Sequence, residues 1–147
     1  MMNFNSKTIV MLRVGAVLNF LLAAGHFAAL FLLDKAFRFY EIDGIMNGMA
    51  GICTALPYLI TIALVGGFAV AGFYSLSASG SIRKLPFEKF IISAIFIVFA
   101  GRAIVGAISL FINFQTREIA STIIAAAIAF CYASATKTCI KEFFNKR

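Results

Sequence analysis

Apolar residues run almost unbroken through four stretches of the chain, at about 8–33, 57–76, 90–111 and 119–139, and short polar or charged segments separate them. Each stretch has the ~20 residues that an α-helix needs to cross a bilayer. Pro57 suits the first turn of the second helix, where its missing N–H costs nothing. "SASGSIRKLP" contains two helix breakers and ends that helix. "NFQTRE" is a tight connection, so the third and fourth helices are expected to be antiparallel neighbours. The pattern predicts an all-α polytopic membrane protein, a four-transmembrane-helix bundle in which residues 1–147 form a single transmembrane domain.

Residues 34–56 fit this pattern less well. Charges alternate there with Phe37, Phe39 and Tyr40, as suits the headgroup level, and a weakly apolar stretch from Ile45 to Leu56 follows. A single helix from Ile45 to Ser79 would be about 52 Å long, well beyond the membrane thickness. The expectation is therefore an interfacial or re-entrant segment between spans one and two, with a long tilted second helix as the alternative. The basic start and apolar body of "MMNFNSKTIVMLRVGAVLNFLLAAGHFAALFLL" resemble a signal peptide. The apolar body is longer than the 7–15 residues of a cleavable core, which favours a retained first span.

Composition agrees: 62% of residues are hydrophobic, 13% are charged and the mean hydropathy is +0.97. A soluble domain of this size could not bury that apolar excess. The net charge of +7 and pI near 9.7 do not point to nucleic acid, because the basic residues sit in short stretches between apolar runs. Nine of them, Lys7, Arg13, Arg83, Lys84, Lys89, Lys137, Lys141, Lys146 and Arg147, fall on one side of the predicted topology. The opposite loops hold Lys35, Arg38 and Arg117 together with four of the six acids. The positive-inside rule then places the N- and C-termini in the cytoplasm, with a bacterial inner membrane as the expected location.

One residue interrupts the third span, "IFIVFAGRAIVGAISLF". An arginine at a helix centre costs roughly 2.5–3.5 kcal/mol on insertion scales, so Arg102 is expected to face the bundle interior or a wet cavity. Gly106, Ser109 and Asn113 follow it at helical spacing, and Glu88 lies on the same stripe toward the other end. Gly15, Asn19, Leu22 and His26 form a second stripe on the first span, and Tyr74 or Tyr132 would complete a polar interior. No acid falls at the depth of Arg102. The guanidinium must then be met by carbonyls, amides, water or a bound anion. Arg102, Asn19, His26, Ser109 and Asn113 are accordingly the candidate ligand-binding residues, for a lipid headgroup, a quinone or another anionic or carbonyl-bearing molecule. The alternatives are a structural arginine satisfied within its own bundle, or a partner subunit that supplies the counter-charge.

Other residues read as structural. His26 is the sole histidine and more commonly an interhelical hydrogen-bond donor than a ligand, and neither it nor Cys53, Cys131 and Cys139 has metal-site spacing. No catalytic or metal residue is identified, and the sequence requires no cofactor. Small residues at Ala63, Gly67, Ala71 and Ser75, and at Ser121, Ala125, Ala129 and Ala133, recur every fourth position as close-packing seams. They suit packing within the chain, in a homo-oligomer or in a larger membrane complex.

"LRVGAVLNFLLAAGHF" resembles the opening of DoxX-type membrane proteins through Arg13, Gly15, Gly25 and His26, where the family often has a lysine near the last position. "GFYSLSASGSIRKLP" followed by "AGRAIVG" is similar to a pattern in small bacterial four-span proteins. The resemblance implies a four-helix bundle and membrane-associated redox or accessory roles. Three functional classes follow: a lipid- or small-ligand-binding protein or accessory subunit without chemistry of its own, a small-molecule transporter, and a membrane-embedded transferase-type enzyme. The first is favoured, because the spans show neither a midplane carboxylate nor a base–nucleophile pair.

Overall fold

A computed structural model describes residues 4–39, 43–112 and 116–144. The described residues are almost entirely helical and contain no strand. Helix α1 spans Ser6–Ala29 and tightens into a 3-10 turn at Leu30–Leu32, and α2 spans Leu33–Phe39. Helix α3 spans Asp43–Ile52, α4 Leu56–Ala78, α5 Glu88–Ile112 and α6 Thr116–Phe144. The segments Ser6–Leu32, Leu56–Ala78, Glu88–Ile112 and Glu118–Phe144 are each long and apolar enough to cross a membrane. The chain is an all-α, four-span integral membrane protein.

Local signals explain the helix ends. Asn5 caps α1, its Oδ1 accepting the Thr8 N–H at 2.8 Å while its carbonyl accepts the Ile9 N–H at 3.1 Å. Pro57 sits in the first turn of α4, as its sequence position predicts. That helix closes on Gly80, whose φ of +73° is open to glycine and costly for other residues. The Ser81 N–H reaches the Leu76 carbonyl and the Gly80 N–H the Ser77 carbonyl, both at 2.9 Å, which satisfies two end carbonyls.

The chain divides into two compact units. The first comprises Met1–Leu18 and Ala71–Arg147. Helices α5 and α6 pack antiparallel in it, with Lys89 against Glu142 at one end and Arg102 against Glu118 at the other. Its core contains Leu12, Ala16, Ala71, Ile92, Phe99, Ala125, Ile128, Ala129, Tyr132 and Ala135. Half of these are alanines, as suits helices in lipid, which associate through close packing rather than through a hydrophobic driving force.

The second unit is Asn19–Val70. Helices α2 and α3 contact one another there, and residues 53–55 break the chain between α3 and α4, so a single long helix through this region does not form. At ten residues, α3 is about 15 Å long and too short to cross a bilayer. It is amphipathic: Ile45, Met46, Met49, Ala50 and Ile52 occupy one arc, and Gly44, Asn47, Gly48 and Gly51 the other.

Candidate functional site

Arg102 does not point into a dry interior. Its side chain is 41% exposed and lies along α5 over Gly106, where an added Cβ would come within 2.7 Å of Nη1. Nη2 donates to the Glu118 Oε2 at 3.1 Å and to the Ser121 Oγ at 2.9 Å, and the Ser121 Oγ donates to the Glu118 carbonyl at 3.1 Å. The counter-charge therefore comes from the first turn of α6 in the same chain. This corrects the sequence-based expectation that Arg102 lacks an acid. Glu118 lies outside the face of α5 on which that expectation rests, and only the antiparallel packing of α5 on α6 brings it in. Glu88 has a different environment from Arg102 and is buried, although helical spacing places the two on one stripe.

The remaining predicted residues divide between the two units and the segment outside the described residues. Ser109 is half-buried on α5, and Asn113 lies outside the described residues. Asn19 and His26 belong to the second unit. Asn19 is completely buried. The His26 Nδ1 donates to the Leu22 carbonyl at 2.8 Å, which fixes that ring proton, and its ring lies 5.0 Å from that of Phe68. Of the two tyrosines weighed for the interior, Tyr132 is fully buried and Tyr74 half-buried. The Ser75 Oγ donates to the Ala71 carbonyl at 2.7 Å, so the Tyr132 hydroxyl is the donor in the Tyr132–Ser75 bond. The ring of Tyr132 lies over Gly15, where a Cβ would be 3.0 Å from Cε2.

A denser group of functional side chains occurs at the other end of α5. The Ser77 Oγ donates to the buried Glu88 carboxylate and accepts the Leu85 N–H at 2.8 Å, which ties the α4–α5 loop to the first turn of α5. That turn is also where a carboxylate is favoured by the helix dipole. Phe87, immediately before it, has a φ of +57°. A non-glycine residue held in this left-handed region is strained, and such strain tends to mark functional positions. It leaves the Phe87 ring 79% exposed.

Lys89 pairs with Glu142 across α5 and α6. Two grooves meet at Lys89 and Phe90. One, of about 570 Å³, continues to Cys139, Phe143 and Phe144, and the other, of about 660 Å³, to Lys84, Pro86 and Phe87. Seven described basic side chains belong to this end of the first unit, Lys7, Arg13, Arg83, Lys84, Lys89, Lys137 and Lys141, against the acids Glu88 and Glu142. Arg13 is anchored there by donating from Nε to the Ser81 Oγ at 3.2 Å.

No protein-family model, curated protein or solved structure matches this chain.

In the sequence alone, Lys84 and Lys89 read as orientation signals, and "GSIRKLP" suits either anionic headgroups or a solvated cytoplasmic turn. The spacing of Lys84, Phe87, Lys89 and Phe90 across a loop and a helix start interleaves cations with aromatic rings and is the signal for this site. Cys139 also lines the groove, and among the described residues no group of three or more histidine, cysteine, aspartate or glutamate side chains could hold a metal ion.

Proposed function

We propose that this protein is a non-catalytic membrane protein that binds an anionic amphiphile, a phospholipid with an acidic headgroup, at the α5–α6 end centred on Lys89 and Phe90. One observation carries the reading. The two grooves that meet there combine exposed Phe87, Phe90, Phe143 and Phe144 with the cations Lys84 and Lys89. An acyl chain lies on the rings, and the phosphate takes the place of water around the ammonium groups. Lys89 holds its Glu142 partner when the site is empty and shares its charge with the phosphate when it is filled. In the bilayer this basic end faces the cytoplasm, as does each terminus, because cytoplasmic loops retain lysine and arginine. A role as accessory subunit is compatible with this binding, and so is the DoxX-type likeness of the first span.

Native mass spectrometry from mild detergent, after equilibration with equal amounts of phosphatidylglycerol and phosphatidylethanolamine, tests the proposal. The wild-type protein retains phosphatidylglycerol preferentially. Lys84→Gln and Lys89→Gln each lower that retention about fivefold, since a basic residue at the surface contributes about 1 kcal/mol toward anionic lipid. Equal retention of the two lipids, or no loss in the variants, refutes it.

A further inference from the structure

Glu88 is the acid that lines the groove of Lys84 and Lys89. It is 6% exposed, and among the described residues its carboxylate forms no ion pair. Lys89 beside it is committed to Glu142. The start of α5 supports the charge while the groove is empty, as helix N-termini do for carboxylates. A phosphate brought to Lys84 and Lys89 changes that balance. A second negative charge then stands near a buried one that water screens weakly. A proton on Glu88 removes the repulsion.

The hydrogen bonds around Ser77 are arranged to accept that proton. Ser77 has one hydroxyl proton and two acceptors for it, the Glu88 carboxylate and the Arg83 carbonyl, the latter at 3.2 Å. A hydroxyl oxygen has two lone pairs, and the Leu85 N–H at 2.8 Å occupies only one. With Glu88 ionised, the hydroxyl serves the carboxylate and the Arg83 carbonyl is left without it. With Glu88 protonated, the acid O–H donates to the open lone pair and the Ser77 hydroxyl turns to Arg83. Every donor and acceptor of the set is then matched. Of the other titratable groups at this end, Lys7 and Arg13 come from α1, Tyr74 from α4, Arg83 and Lys84 from the loop, Lys89 from α5, and Lys137, Cys139, Lys141 and Glu142 from α6. Glu142 is the other acid among them, but its side chain is 33% exposed and paired, so solvent screens it more. Given the lipid site proposed above, we infer that an acidic phospholipid binds there together with a proton, which Glu88 takes up from water. By linkage, the lipid binds more tightly as pH falls.

Retention of phosphatidylglycerol, whose phosphodiester stays ionised throughout, tests this from about pH 8 down to about pH 5. Wild-type retention should rise about tenfold over that range, within the usual size of a coupling between two sites. Glu88→Gln should hold the lipid at the high-pH end as tightly as the wild type does at the low-pH end, and lose the dependence. Glu142→Gln should keep the slope even where its overall retention changes, and so should His26→Gln. Should Glu88→Gln fail to fold, the proton is counted directly in weakly buffered micelles. Adding phosphatidylglycerol to the wild-type protein should consume protons in proportion to the lipid bound, and phosphatidylethanolamine should consume none. A preference for phosphatidylglycerol that is the same at both ends of the range overturns the inference and leaves the lipid site standing. Absence of the preference at every pH removes the site and the inference together. A dependence that survives Glu88→Gln, or disappears in Glu142→Gln, places the proton elsewhere and also overturns it.

Discussion

Arg102 reaches Glu118 by lying across Gly106, so the ion pair that links α5 to α6 depends on a residue with no side chain. The Thr122 Oγ1, buried and without a hydrogen-bond partner, lies against the same glycine. Gly106→Ala therefore meets Thr122 and Arg102 together and should destabilise the protein by about 1–3 kcal/mol, the usual cost of overpacking. Gly66→Ala on α4 has open space around it and should be neutral or slightly stabilising. Unfolding by graded addition of sodium dodecyl sulfate to the detergent-solubilised protein separates the two outcomes.

The strength of the Arg102–Glu118 link is measurable by a double-mutant cycle with Arg102→Gln and Glu118→Gln. The coupling should be about 0.6 kcal/mol, the average for interhelical polar contacts in membranes and within the range for half-exposed ion pairs. A coupling near zero would make Arg102 a solvated side chain with no structural role.

Tyr132, Ser75 and Gly15 form a second link, between α6, α4 and α1 within the first unit. Both polar residues are fully buried, so each hydroxyl left without its partner carries a desolvation cost. Tyr132→Phe and Ser75→Ala should each cost about 1 kcal/mol, and the double variant less than the sum of the two. Gly15→Ala should be worse than either, because the added methyl meets a buried ring that has little space to move.

The spans were legible in the sequence because length and apolarity alone decide whether a helix can cross a bilayer. The predicted stretches at 8–33, 57–76, 90–111 and 119–139 correspond to α1 with its 3-10 turn, α4, α5 and α6, with the last running on to Phe144. The interruption before Pro57 was legible too, from the weak hydropathy of 45–56. The rotation of each helix was not. Periodicity shows which residues share a side of α5, but a span that is apolar all round gives no sign of which side meets protein and which meets lipid. Sequence spacing therefore leaves Arg102 facing either the bundle interior or a wet cavity, and only the packing of α5 on α6 brings it to Glu118 and Ser121. Glu88 was unreadable for a related reason, since its burial depends on Ser77 from the preceding helix and on the backbone turn at Phe87.

The turn at Phe87 separates stability from binding. Phe87→Gly removes the penalty for a left-handed non-glycine residue and should stabilise the protein by about 1 kcal/mol. The same change removes an exposed ring from the groove at Lys89 and should lower anionic-lipid retention. Thermal unfolding and lipid retention measured on one preparation should move in opposite directions. A loss of both would mean that the ring is needed for packing.

Photochemical labelling shows whether an acidic phospholipid rests on the rings beside Lys89. A phosphatidylglycerol carrying a diazirine in its acyl chain is irradiated with the protein in vesicles, and the labelled peptides are mapped. Labelling should concentrate at Phe90 and at Phe143–Phe144, reduced by excess unlabelled phosphatidylglycerol and little changed by phosphatidylethanolamine. Labelling spread evenly over the exposed faces of the four spans, or displaced equally by both lipids, would contradict it.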